Sequence, residues 1–326
     1  MMKQKTKQPT IVFMGTPDFA VPTLRRLLDE GYHIAAVVTQ PDRPKGRKKV
    51  LPPPPVKEEA RRHGLPVLQP EKIKDEAALE QLEQLAPDLI ITAAYGQILP
   101  ERLLNMPKHG CINVHASLLP KYRGAAPIHY AVMNGEKETG VTLMYMEKGL
   151  DTGDMISKVK VPIEETDNTG TLFEKLSQKG AELVIQTLPD LLAGKIQAIP
   201  QNDDEATYAP MLTRDDERID WSRTSRQIFN QVRGLNPWPG AFTTWEGKVL
   251  KIWECEVHDE AGAPSDQAFK PGEVIELTAA ELTVKTGDGA VKLKRVQPAG
   301  KRAMDIKEFI PGSRMAIGMM LGEQVQ

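Results

Sequence analysis

The chain has 326 residues, 40% of them hydrophobic and 26% charged, with a formal net charge of −2. That length suits about two domains of ~100–200 residues each, and near-neutral charge excludes a wholesale basic coat, so any nucleic-acid contact must use local patches. Two cysteines, Cys111 and Cys255, exclude a disulfide framework. No segment approaches the ~18 apolar residues of a spanning helix, and the run Ile11 to Met14 is too short for a signal core, so a cytoplasmic protein with no membrane partner is expected.

Residues 10–14 read as a short buried strand, followed by the turn Gly15-Thr16-Pro17-Asp18. An amphipathic helix carrying Phe19, Val21, Leu24, Leu27 and Leu28 comes next and closes at Gly31. Ile34 to Val38, Asp88 to Ala93 and Gly110 to Val114 repeat the β-branched pattern. Strands that are nearly all apolar and alternate with helices predict a doubly wound, Rossmann-like, mostly parallel sheet. Gly170 to Leu192 reads as a long amphipathic helix. The stretch from Gln201 to Glu217 is polar and acidic and reads as a linker. Beyond it a helix over 225–234 precedes Pro237-Trp238-Pro239-Gly240. Short strands then follow over 241–245, 249–255, 272–277, 281–286 and 290–296, broken by Gly, Asp and Pro. Their spacing predicts a small OB-like β-barrel. The expected boundaries are a catalytic domain over 1–197, a linker over 198–212 and a C-terminal barrel over 213–326.

The first turn does not carry a dinucleotide fingerprint, because it holds one glycine where three are wanted and Pro17 occupies the turn. The carboxyl end of the fourth apolar run is more informative. Side chains alternate along a strand, so Asn113 and His115 share a face while Val114 turns to the opposite layer. Asp151 follows in Gly149-Leu150-Asp151-Thr152-Gly153-Asp154. An amide donor, an imidazole and a carboxylate suit acyl transfer to an acceptor that brings its own amine. No HxxxH or CxxC spacing occurs, and no metal is expected. Ser117, Leu118, Leu119 and Pro120 offer a backbone-lined wall for a flat heterocycle. The loop leaving the second strand carries Arg43, Lys45, Arg47, Lys48 and Lys49. A second basic group, with Lys292, Lys294, Arg295, Lys301 and Arg302, falls in the last strands. Two patches in separate domains point to an extended polyanion. Trp238, Phe242 and Trp245 are read as barrel packing rather than base-stacking platforms.

The motifs Met14-Gly15-Thr16-Pro17-Asp18-Phe19-Ala20, Gly110 through Pro120, Arg123-Gly124-Ala125-Ala126-Pro127, Gly149 through Asp154 and Asn236-Pro237-Trp238-Pro239 together resemble the methionyl-tRNA formyltransferase family. The resemblance runs along nearly the whole chain, though Ala316 to Gln326 match nothing. It implies formyl transfer from 10-formyltetrahydrofolate to the methionine amine of initiator methionyl-tRNA, with Asn113, His115 and Asp151 catalytic. It also implies folate binding by Ser117 to Pro120, by Tyr95, Gly96, Gln97, Ile98 and Leu99, and by Gly149 and Leu150, and tRNA binding by the two basic groups, Arg47 foremost. A monomer is expected. The competing readings are a folate-dependent formyltransferase acting on a small amine, such as glycinamide ribonucleotide or a nucleotide-linked sugar, and a non-catalytic RNA-binding protein.

Overall fold

The computed structural model describes residues 8–44, 51–258 and 269–323. Seven strands form the first sheet: β1 (Thr10–Gly15), β2 (His33–Val38), β3 (Val67–Leu68), β4 (Leu89–Ala93), β5 (Cys111–His115), β6 (Glu138–Tyr145) and β7 (Met155–Pro162). Their order is β3-β2-β1-β4-β5-β6-β7. The pairs from β3 to β5 are parallel, and β6 runs antiparallel to β5. The edge pair β6 and β7 has no counterpart in the sequence reading, which stopped at β5. The strand order reverses between β1 and β4, where a doubly wound sheet opens a crevice. The loops after β1, β2 and β4 are laced together there: Thr16 Oγ1 donates to Tyr95 O at 2.9 Å and accepts from Gln40 N at 3.2 Å.

Helices α1 (Val21–Asp29), α2 (Pro55–Arg62), α3 (Glu76–Gln84), α4 (Glu101–Leu104), α5 (Pro127–Met133) and α6 (Thr169–Leu192) intervene or follow. Side chains of α3 and α4, among them Leu79, Leu82 and Leu103, share a core with Val12, Met14, Ile90 and Cys111. Helix α6 covers the opposite face of β5 so closely that a Cβ built on Gly180 would lie 2.8 Å from Val114 Cγ1. Glycine there is a packing requirement, and Val114 does turn to the layer away from Asn113 and His115.

Helices α7 (Arg214–Glu217) and α8 (Ser225–Gly234) precede an antiparallel sheet of β8 (Ala241–Trp245), β9 (Lys248–His258), β10 (Val274–Leu277), β11 (Leu282–Lys285), β12 (Ala290–Pro298) and β13 (Met304–Asp305). The helix α8 begins at a capping box in which Thr224 and Gln227 exchange side-chain and backbone bonds, and its bounds are those the sequence predicts. The strand path runs β10-β11-β12-β9-β8, with β13 on β12. One hydrophobic core, including Leu250, Ile252, Val274, Val284, Val291 and Leu293, packs together with Ile306 and Phe309 of α9 (Ile306–Ser313).

The path of named strands is open, and the segment just after α9 spans its two edges. Gly318 and Leu321 donate to Val274 and Gly272 beside β10, while Gly322 donates to Thr244 of β8. Residues that matched nothing in the sequence thus finish the small β-domain.

The chain divides into two compact units. One holds residues up to Gly124 with 139–162 and 173–209; the other holds 125–138, 163–172 and the residues from Pro210 onward. Helix α5 therefore groups with α8 rather than with the parallel sheet. Among the described residues no helix is long and apolar enough to cross a membrane.

Candidate active site

Parallel pairing sets Thr92 of β4 opposite Asn113 of β5. The Thr92 hydroxyl lies 2.8 Å from Asn113 Oδ1, and 3.1 Å from both Ile112 O and Met146 Sδ. With its oxygen held this way, the amide of Asn113 keeps its Nδ2 donor hydrogens unmatched among the described residues. Two residues further along, on the same face, His115 is buried. Its Nε2 lies 3.0 Å from the carbonyl oxygen of Tyr122. A carbonyl only accepts, so Nε2 carries the hydrogen and Nδ1 is the nitrogen that gains or loses a proton. Nδ1 faces Asp151 Oδ2 at 3.6 Å, beyond a direct hydrogen bond.

Asp151 adopts φ +52°, a left-handed conformation uncommon outside glycine. Its carboxylate accepts from Gly124 N at 2.8 Å. Gly124 has φ +118°, and a Cβ there would meet Ala209 O at 2.7 Å, so only glycine fits. The carbonyl that fixes the His115 tautomer and the amide that holds Asp151 therefore come from one short stretch, 122–124. That stretch is pinned in turn by residues 207–209. Tyr122 N donates to Thr207 Oγ1 at 2.9 Å, Arg123 N to Thr207 O at 2.8 Å, and Ala209 N to Arg123 O at 2.7 Å. The polar run read as a linker contributes this brace.

The residues expected to contact a heterocycle divide into anchors and exposed tips. Ser117 and Leu119 are buried, and Thr142 Oγ1 bonds both of them, donating to Ser117 O and accepting from Leu119 N. Leu118 and Pro120 are half-buried. Tyr95 and Leu99 belong to the core beneath, and burial pushes the Tyr95 phenol up to about 12. Gly96 takes φ +91° in that turn. The Gln97 side chain is occupied by Ile73 N, which donates to its Oε1 at 2.7 Å. Ile98, 88% exposed, and Leu150, 60% exposed beside Gly149, are the apolar tips.

The basic groups fare differently. Lys45, Arg47, Lys48 and Lys49 lie outside the described residues, and Arg43 pairs with Glu71 at 3.6 Å. In the C-terminal unit Lys292 pairs with Glu281, Lys294 with Glu256, Arg295 with Glu254 and Arg302 with Glu308. Of that group Lys301 alone has no acidic partner among the described residues. The same unit holds a cavity of about 490 Å³ bordered by Lys137, Arg223, Arg226 and Arg233, with Glu136 and Glu165 opposing them.

The aromatic side chains Trp245 and Phe242 are packed, the first edge-on to Phe309 and the second beneath Arg214. Trp238 remains 45% exposed. Both thiols are buried, which pushes Cys111 and Cys255 up to about 12. Among the described residues no three His, Cys, Asp or Glu gather as a metal site.

Thr92, Thr142 and Thr207 escaped the sequence reading because their roles depend on which strand or loop lies opposite. The one local signal was Thr92 itself, a hydroxyl inside an otherwise apolar strand.

Residues 9–188 match the family model described as formyl transferase, and residues 211–314 match the formyl transferase C-terminal domain. The chain is 57% identical over 317 residues to a methionyl-tRNA formyltransferase of Halalkalibacterium halodurans, covering 96% of this chain and 98% of the relative. It is 56% identical over 313 residues to the enzyme of that name from Bacillus subtilis, covering 96% and 97%. Among solved structures, HypX from Aquifex aeolicus in complex with tetrahydrofolic acid superposes with a TM-score of 0.63 at 18% identity, over 94% of this chain and 47% of that one. At such identity the likeness is one of fold.

Proposed function

The chain belongs to the methionyl-tRNA formyltransferase family, and from that membership we propose that it transfers the formyl group of 10-formyltetrahydrofolate to the α-amino group of methionine on initiator tRNA. It does so as a cytoplasmic monomer. The observation that carries the reading is the pairing of an unmatched Asn113 amide with an imidazole whose Nε2 is committed to a carbonyl and whose Nδ1 is left for protons.

In this reading the neutral amine attacks the formyl carbon. The C–N bond to the acceptor forms as the carbonyl π pair moves onto oxygen. Asn113 Nδ2–H donates to that oxyanion, which is where a preorganised donor lowers the barrier. His115 Nδ1 takes a proton from the attacking nitrogen, and Asp151 stabilises the imidazolium. The intermediate then collapses, the bond from carbon to folate N10 breaks, and N10 leaves with a proton returned by His115. The products are N-formylmethionyl-tRNA and tetrahydrofolate, with no net proton released. The exposed apolar tips Ile98 and Leu150, together with the wall 117–120, suit a flat pterin that needs cover from water. Cations of the loop after β2, with Lys301 of the C-terminal unit, receive the tRNA backbone.

Labelled formyl transfer from 10-formyltetrahydrofolate, offered charged initiator tRNA, glycinamide ribonucleotide and an amino sugar nucleotide in parallel, tests this directly. Transfer to the tRNA is expected. Transfer only to the small amines would overturn the acceptor assignment, and transfer to none would leave an RNA-binding protein.

A further inference from the structure

Gln201 lies in the polar stretch that follows α6, fifty residues from Asp151 in sequence. Its Nε2 donates to Asp151 O at 2.7 Å and to Gly153 O at 2.8 Å, so one amide clamps both ends of the turn that carries the carboxylate. Its Oε1 accepts from Arg123 Nε at 3.0 Å, and Arg123 Nη2 donates to Asp203 Oδ1 at 2.7 Å. Arg123 is only 2% exposed. A guanidinium so deeply buried is costly unless its hydrogen bonds are satisfied, and here those bonds orient the glutamine. The next residue, Gly124, supplies the N–H that holds the Asp151 carboxylate. The backbone and the side chain of Asp151 are thus fixed from the single pair Arg123–Gly124, the backbone through Gln201. A residue at φ +52° is held against its preference for other conformations, and this clamp opposes its relaxation.

We infer that Gln201 is a positioning residue that sets the distance and angle at which Asp151 meets His115 Nδ1. The inference rests on the reading of Asp151 as a participant in formyl transfer. Misplacement of a reacting group by about 1 Å costs up to ~100-fold in rate.

The test is a double-mutant cycle on the full chain: wild type, Gln201→Ala, Asp151→Asn and the double variant, each assayed for kcat and for KM toward both substrates. Gln201→Ala is expected to lower kcat about 10- to 100-fold with both KM values changed less than about twofold. The double variant is expected to be no slower than Asp151→Asn alone, because the clamp has then nothing to position. Multiplicative losses would overturn the inference by showing that Gln201 acts elsewhere or only on folding. Wild-type kcat in Gln201→Ala, with Asp151→Asn impaired, would sink the inference alone. Wild-type kcat in Asp151→Asn would sink both it and the role of Asp151. Gln201→Glu keeps an acceptor for Arg123 but loses both N–H donors, so it guards against a folding defect. It is expected to show the same kcat loss, and a wild-type kcat there would also overturn the inference.

Discussion

Asn113 and His115 on β5, and Lys292, Lys294 and Arg295 on β12, are both short runs of polar side chains on strands, yet their surroundings treat them oppositely. On β5 the side-chain polar atoms of this pair are committed except for two. Thr92 takes the Asn113 oxygen and Tyr122 takes His115 Nε2, which leaves one amide donor and one ring nitrogen for a substrate. On β12 the facing strand supplies carboxylates, with Glu254 opposite Arg295 and Glu256 beside Lys294. The charges there are spent within the sheet, in cross-strand pairs that contribute roughly 0.2–1 kcal/mol each. The lesson is that a polar run marks a site when its partners are one group short, and marks a surface when they are complete.

The sharpest way to break that contrast is to remove the unmatched donor. Asn113→Ala is expected to lower turnover at least ~100-fold, since losing one oxyanion donor costs about 3–4 kcal/mol of barrier, while the Kd for tRNA stays within about twofold. His115→Ala should do the same. Steady-state kinetics beside a filter-binding titration measure both, and normal turnover in either variant would remove that residue from the chemistry.

A second test asks whether burial, rather than the number of partners, decides what a pair contributes. Glu59 on α2 is nearly buried and accepts from Arg25 at 2.9 and 3.0 Å, with Arg62 and His63 also in reach. The hydrogen-bonded Arg25 guanidinium pulls its carboxyl down to about 2. A group whose folded pKa lies below its unfolded value stabilises the fold when ionised. Its contribution is therefore complete above about pH 4.5 and lost as pH falls toward about 2. Glu59→Gln is expected to cost about 2–3 kcal/mol at pH 7, read from urea midpoints, with the deficit shrinking across that acid window. A deficit that persists unchanged at low pH would mean lost packing rather than lost charge.

Much of this contrast was legible before any coordinates. The apolar strands, the helix over 225–234 and the shared face of Asn113 and His115 are local patterns, and local patterns survive folding. The antiparallel edge β6–β7 was not read, although it determines where the turn holding Asp151 begins. The brace from Thr207 and Gln201 was not legible either, because a polar stretch gives no sign of which loop it will bond. Nor was the neutralisation of β12: charge counts reveal the lysines, but the register that brings Glu256 and Glu254 beside them exists only in the sheet.

The loop after β2 and the strand β12 are expected to contribute unequally to nucleic-acid binding. Arg47→Ala should lower kcat/KM for the charged tRNA about 10-fold, by roughly 1.4 kcal/mol, with the folate KM retained. The reverse pattern would assign that loop to the folate.

The smallest effect belongs to the matched cations. A lysine that meets a phosphate freely contributes about one unit to the slope of log K against log salt. Lys294 already faces Glu256 at 3.2 Å, so whatever counterion release it offers RNA must first overcome that pair. Lys294→Ala is therefore expected to change tRNA affinity less than about threefold and the salt slope by well under one unit. The complementary variant is more telling. Glu256→Gln frees Lys294 without adding charge of its own, and if the pair suppresses binding it should raise tRNA affinity by up to about fivefold, the equivalent of an exposed pair contributing ~1 kcal/mol. Titrations of both variants across a salt series measure this. A full unit lost from the slope in Lys294→Ala, with no gain in Glu256→Gln, would show that β12 surrenders its carboxylate partners when RNA arrives, and the two regions would then differ in kinetics rather than in design.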